Sequence, residues 1–299
     1  MIESHEASKK FAMIKRTRRL RRLDATRRLV RETRLSRSDL VYPVFVDARI
    51  RAREAIPSMP GTQSASIREQ THETQREFLK YTFFKVGLQW RRLDDRQRRL
   101  SKEQFASLVE DFGKTHLVRS YSLVGIRGDV DFLLWNISRD LEELQSFTST
   151  LLKSEFGKYL VLPYSYLAIT RKSEYLGNHE HVGQDGMTFQ RPGNSRYLFV
   201  YPFIKKREWY FLPHEERTQM MAQHFKIGHK YPSVRIHTGY SFGLDDQEFV
   251  LAFETSEPAD FAELVMELRC SEASRYTELE TPIFTCVQTK MRSILDLLG

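Results

Sequence analysis

The chain repeats itself. Laid on its own sequence at an offset of 119 residues, Tyr81–Arg98 (YTFFKVGLQWRRLDDRQR) falls on Val200–Arg217 (VYPFIKKREWYFLPHEER). Each copy is an aromatic strand-like run that reaches a tryptophan, Trp90 or Trp209, and then a charged helix start. Further on, YSLVGIRGDVDFLLW (Tyr121–Trp135) matches YSFGLDDQEFVLAF (Tyr240–Phe253) with a slip of one or two residues. Both are strand–turn–strand signals with Gly and Asp at the turn. Helical patterns follow, DLEELQSFTSTLL (Asp140–Leu152) and DFAELVMELR (Asp260–Arg269). A duplication of this period obliges each half to bury its apolar faces with the same β-α-β-β-α order, most simply as a ferredoxin-like unit. The expected body is therefore α+β, two ferredoxin-like repeats at about 76–165 and 195–290, joined in a dimeric α/β-barrel-type domain over residues 69–299. Residues of about 155–195 are expected to link the halves, with GNHEHVGQDG (Gly177–Gly186) as a mobile loop.

Charge separates the remainder of the chain from this body. Of 47 Lys/Arg and 39 Asp/Glu, residues 1–64 hold 16 and 7, which leaves 31 and 32 for everything after them. The net charge of +8 thus belongs to the N-terminal segment and gives no reason to expect nucleic acid on the body. Within that segment Lys15–Arg34 sets Leu20, Leu23, Leu29 and Val30 among arginines, the pattern of a short basic amphipathic helix. It reads as a solvated helix or docking arm in preference to an RNA or anionic-membrane binder, because no aromatic residues interleave the arginines for stacking. LVYPVFV (Leu40–Val46) reads as a strand, and PSMPG with TQSAS (57–66) as a linker, so that 1–68 forms a partly disordered arm. No apolar run approaches membrane-span length, and no signal-peptide pattern opens the chain. Cys270 and Cys286 have neither metal spacing nor the number for a disulfide framework, which fits a reducing cytoplasm.

The duplication also supplies an internal control. After Trp209, Met220, Met221, His224, Ile227 and Tyr231 recur at helical spacing, and Gly228 removes a side chain one turn beyond His224. At the same offset the first half has Phe105, an ordinary core residue. A histidine on an apolar face with a glycine beside it suits an imidazole bound to the metal of a flat ring. It suits equally a buried histidine satisfied by one hydrogen bond, and spacing alone favours the latter.

Longer motifs add to this. YLFVYPFIKKREWYFLPHEER, MMAQHFKIGHKYPSV, YSFGLDDQEFVLAFET and ELRCSEASRYTELETPIFT resemble the chlorite dismutase-like superfamily, closest to its branch containing coproheme decarboxylases. The resemblance covers about 76–287 and is strongest from Arg196 onward. It implies haem in the C-terminal repeat, a homopentamer, His224 as proximal iron ligand and Glu272 as the carboxylate that hydrogen-bonds that imidazole. Chlorite-degrading members carry a distal arginine where this sequence has Ile236. Decarboxylases carry a glutamine there, or a histidine in an earlier motif that here reads SYLAITR, with Thr170 at the histidine position. An apolar Ile236 cannot donate a hydrogen bond to developing oxyanion charge, which argues against chlorite dismutation. Arg235 and His237 flank it, and strand alternation points both away. In Y-P-x-x-K, Tyr201 and Lys205 match the branch's redox-active tyrosine and proton-assisting lysine. The implied reaction converts two propionates of coproheme to vinyls with hydrogen peroxide, yielding haem b, so that the iron porphyrin is substrate and redox centre together. Arg196 and Arg191 join Lys205 as candidate cations for the substrate's carboxylates. The other readings are a haem peroxidase with a different substrate and a non-catalytic porphyrin carrier or sensor.

Finally, Arg18–Gly61 resembles the opening of porphobilinogen synthase, without that enzyme's barrel, catalytic lysines or metal-site residues. No synthase activity is implied; docking onto a true synthase is the role such an arm suggests.

Overall fold

The computed structural model describes residues 76–171, 173–175, 190 and 192–299, and three short strands before them. The chain divides into two units, Met1–Gln70 and Thr71–Gly299. In the first, β1 (Phe45–Asp47) pairs parallel with β3 (Gln63–Ser66), and β2 (Glu54–Ala55) pairs antiparallel with β3. The TQSAS stretch expected to be linker is therefore largely strand. The basic helix expected at 15–34 lies outside the described residues.

The second unit runs β4 (Phe78–Val86), α1 (Asp95–Phe112), β5 (Leu117–Ser122), β6 (Phe132–Ser138), α2 (Leu141–Lys153) and β7 (Leu160–Ile169). It continues with β8 (Tyr197–Lys205), α3 (Arg207–Phe211), α4 (His214–Gly228), β9 (Arg235–Tyr240), β10 (Phe249–Thr255), α5 (Pro258–Arg269), β11 (Thr277–Leu279), β12 (Phe284–Gln288) and α6 (Met291–Leu297). Two four-stranded antiparallel sheets result, β7-β4-β6-β5 and β12-β8-β10-β9. Leaving aside the short β11, which pairs with β8, the strands of each half have the same spatial order, fourth-first-third-second. The two sheets meet where Val287 and Gln288 of β12 face Ser122 and Tyr121 of β5, and where Ile169 of β7 faces Tyr240 of β9. At the second junction side chains add stitches: Asp245 accepts from the Leu167 N–H at 2.7 Å, and the Ser241 hydroxyl donates to the Leu167 carbonyl at 2.8 Å. The eight strands thereby close, and their inward residues, among them Leu79, Tyr81, Phe83, Trp135, Val200, Val250 and Phe284, form a buried lumen.

Each half thus ends in a strand absent from the expected order, and residues 160–169 are sheet where a linker was expected. Pro163 explains the miss, since proline inside a run argues against a central strand. Here it sits where the register steps, Phe83 facing Tyr164 while Lys85 faces Val161, so the proline occupies a bulge and no ladder bond is lost. The duplicated turns after β5 and β9 also coincide: Gly125 (φ 76°) and Gly243 (φ 72°) both take the left-handed conformation that a side chain would strain.

Helices cover the outer faces. Asp94 and Asp140 cap α1 and α2 by accepting from the Gln97 and Glu142 N–H groups, and Pro258 opens α5. Over the first sheet, Phe105 is fully buried, edge-on to Phe132 and Phe156 at 6.1 and 5.0 Å. The C-terminal α6 adds Met291, Ile294 and Leu295 to the same cluster.

Candidate functional site

The second sheet is covered differently. α1 buries Ser101, Phe105, Ala106 and Val109, whereas α4, its counterpart, buries only Ile227. Alternation along β8 sends Leu198 and Val200 to the lumen and Phe199, Tyr201, Phe203 and Lys205 to the outer face. The register carries that face across the sheet: Tyr201 lies beside Leu251 and then Thr238, Phe203 beside Phe249 and then Tyr240. Ile236, paired with Phe253, shares it and is 37% exposed. His237 faces the other way, 4% exposed, its Nε2 2.7 Å from Glu254 Oε2 and its ring edge-on to Trp135. Neither half of the His237–Glu254 pair reaches the Ile236 face.

His224 is half-buried on α4, its nearest ring contact being Phe225 at 6.2 Å. Among the described residues it makes no hydrogen bond, so the single-bond core histidine that spacing favoured is not what is found. Burial, and secondarily the nearby charge of Lys205, pull its pKa down to about 4. The imidazole is therefore neutral at pH 7, with a lone pair available to a metal. Gly228 leaves open space: a Cβ there would meet nothing within 4 Å.

Lys205 is almost fully buried. Its Nζ donates to the Ala273 carbonyl at 2.9 Å and sits 4.4 Å from the Trp209 ring centre. Burial lowers its pKa to about 8, partly countered by Glu248, which accepts from its backbone N–H at 2.8 Å. Tyr201, 6% exposed, stacks on Phe253 at 5.8 Å, and burial, with Glu280 adding to it, raises its pKa and keeps it a phenol.

The structure brings Tyr201, Lys205, His224 and Ile236 to one side of the second sheet. Other expected residues lie elsewhere. Glu272 is exposed and ion-paired with Arg275 at 3.3 Å, with no bond to His224. Thr170 is buried at the barrel end, where its hydroxyl accepts from the Glu77 N–H at 2.9 Å. Arg196 is exposed at the start of β8, roughly 17 Å along the strand from Tyr201, its guanidinium 5.4 Å from the Tyr197 ring centre. Arg191 lies outside the described residues. Sequence reasoning passed over Arg171, although it adjoins Thr170 in the SYLAITR motif; its guanidinium lies 5.6 Å from the Tyr240 ring centre. Among the described residues no cluster of acidic, histidine and cysteine side chains forms a metal-ion site, and no helix is long and apolar enough to cross a membrane.

Fold and site together define a class: a closed antiparallel α+β barrel that presents a neutral histidine above an aromatic sheet face. The family model described as chlorite dismutase matches residues 98–289, and the chain belongs to that family. A coproheme decarboxylase of Mycolicibacterium smegmatis is 35% identical over 179 residues, 60% of this chain and 75% of that protein. A mutant chlorite dismutase from Candidatus Nitrospira defluvii superposes with a TM-score of 0.67 at 26% identity, covering 74% of this chain and 94% of its own. A heme-binding protein from Thermus thermophilus shares the fold, with a TM-score of 0.66 at 24% identity over 74% of this chain and 95% of its own. The N-terminal segment matches a second family model, delta-aminolevulinic acid dehydratase (porphobilinogen synthase), over residues 14–88.

Proposed function

We propose that this chain is a coproheme decarboxylase. It converts two propionates of iron coproporphyrin to vinyl groups, giving haem b with hydrogen peroxide as oxidant. The observation that carries the reading is the placement of Tyr201 and Lys205 on one sheet face, with His224 close enough to Lys205 for the lysine's charge to act on it. Relatedness to the mycobacterial decarboxylase supports it.

Residues and substrate fit. A neutral His224, without a competing hydrogen bond among the described residues, can ligate iron, and Gly228 puts no side chain in the way of a flat ring. Bound coproheme supplies its own iron for the redox chemistry. Each propionate consumes one peroxide and one proton and gives a vinyl group, carbon dioxide and two waters. Tyr201, held as a phenol by burial, has a hydrogen atom to pass on and recover. Lys205, with a pKa of about 8, can anchor a carboxylate and hold or release a proton near neutral pH. Ile236 offers no donor to a developing oxyanion, so chlorite dismutation is not the activity read here. The two halves are read as ferredoxin-like repeats, the assembly as a homopentamer, and the N-terminal unit as a docking arm for porphobilinogen synthase. Co-purification of the two proteins, lost on removing residues 1–64, is expected; no association at micromolar concentration refutes the docking.

The activity is tested by loading the protein with coproheme, titrating with peroxide and following products by mass. Stepwise loss of two carboxyl groups is expected, and Tyr201→Phe should bind coproheme yet stop that loss. Oxidation of an added donor instead would point to a peroxidase, and bleaching alone to a carrier. Near-normal turnover by Tyr201→Phe would refute the tyrosine's role.

A further inference from the structure

The outer face of the second sheet carries a continuous file of contacts running across three strands. Lys205 Nζ lies 5.4 Å from the centre of the Phe203 ring, Phe203 meets Phe249 at 6.2 Å, Phe249 meets Tyr240 at 5.3 Å, and the Arg171 guanidinium lies 5.6 Å from Tyr240. Phe203, Phe249 and Tyr240 are in register, so they cross the sheet in one line about 10 Å long, two inter-strand spacings. All three rings are half-buried, and each end of the line carries a cation. Arg171 is exposed and, among the described residues, has no ion-pair partner. Nearby Glu174 is ion-paired with Arg217 at 3.4 Å.

An apolar strip with a positive charge at each end is complementary to a flat aromatic molecule bearing carboxylates on opposite edges. A guanidinium left without an acid partner keeps its fork of donors for such a carboxylate. We propose that Arg171 is a substrate-positioning residue, anchoring a carboxylate of the porphyrin at the edge opposite Lys205. This inference rests on the porphyrin-site reading above and adds to it the orientation of the substrate: one carboxylate edge toward β8, another toward the end of β7. Tyr240, beneath the guanidinium, forms the floor of that end.

Binding of two probes tests it, followed by absorbance with the full chain: coproheme, with four carboxylates, and its tetramethyl ester, with none. Loss of one charge-assisted contact should weaken coproheme binding by Arg171→Gln roughly 10- to 100-fold. Ester binding should stay unchanged, and Arg171→Lys should recover part of the loss. Because Arg171 is exposed and has no ion-pair partner among the described residues, circular dichroism and the melting temperature should match the parent. Equal coproheme affinity in Arg171→Gln and the parent overturns the inference, as does equal weakening toward the ester, which would mark a packing role. A parent protein that fails to bind coproheme overturns the porphyrin-site reading itself, and this inference with it.

Discussion

The two halves of the barrel share strand order, tryptophan positions and turn glycines, yet one is solid where the other is open. Over the first sheet, Phe105 and its neighbours on α1 press into the aromatic cluster, and α6 seals what remains. Over the second, α4 buries a single residue, and His224 stands where Phe105 stands in the first copy. A duplicated fold lets one copy hold the structure while the other gives up packing for chemistry. Most stability should therefore reside in the half without the site.

The sharpest way to break this comparison is to truncate the two equivalent residues. Phe105→Ala removes a fully buried ring and should cost about 3–5 kcal/mol in denaturant unfolding. His224→Ala, half-buried and without a hydrogen bond among the described residues, should stay within about 1 kcal/mol, while changing the Soret band of the protein loaded with coproheme. Equal losses at the two positions would contradict the division of labour, and an unchanged Soret band would be fatal to ligation by His224.

A second test concerns the charge beside the open half. Lys205 is protonated below a pKa of about 8 and neutral above it. Turnover or coproheme affinity that depends on its ammonium should fall as pH rises through about 8. Lys205→Arg, always charged, should remove that inflection. A profile that is flat across this range in the parent would separate Lys205 from the chemistry.

The smallest expected effect tests the symmetry itself. Gly125→Ala and Gly243→Ala each place a Cβ on a left-handed residue with open space around it, so only backbone strain is added. Each should cost about 1 kcal/mol by thermal unfolding. A large difference between them would mean that the turns are not equivalent after all.

Much of the fold could be read from the repeat, because two copies of one pattern check each other. The fourth strand of the first half escaped because Pro163 disguised it, and a bulge is a tertiary device with no local signature. His224 stood out for the same reason the fold did: its counterpart is Phe105. Tyr201 and Lys205 lie four apart on one strand, so alternation already placed them on one face. Arg171 escaped because its place depends on which strand β9 pairs with, and pairing partners are a property of the closed sheet. Glu272 is the converse case: the resemblance pairs it with His224, while in this structure the turn Glu272–Tyr276 places its carboxylate against Arg275.

The barrel's two seams are sewn with different thread. At β5–β12 two residue pairs form a backbone ladder, extended by the Thr289 N–H on the Ser120 carbonyl and the Ser120 hydroxyl on the Thr289 carbonyl, while beside the site the single pair Ile169–Tyr240 leans on the side chains of Asp245 and Ser241. Side-chain stitches are individually replaceable and can be undone without unzipping a ladder. The wall nearest Arg171 is thus the one that can breathe while the rest of the cylinder keeps its shape, and amide exchange at Leu167 should report it ahead of the opposite seam.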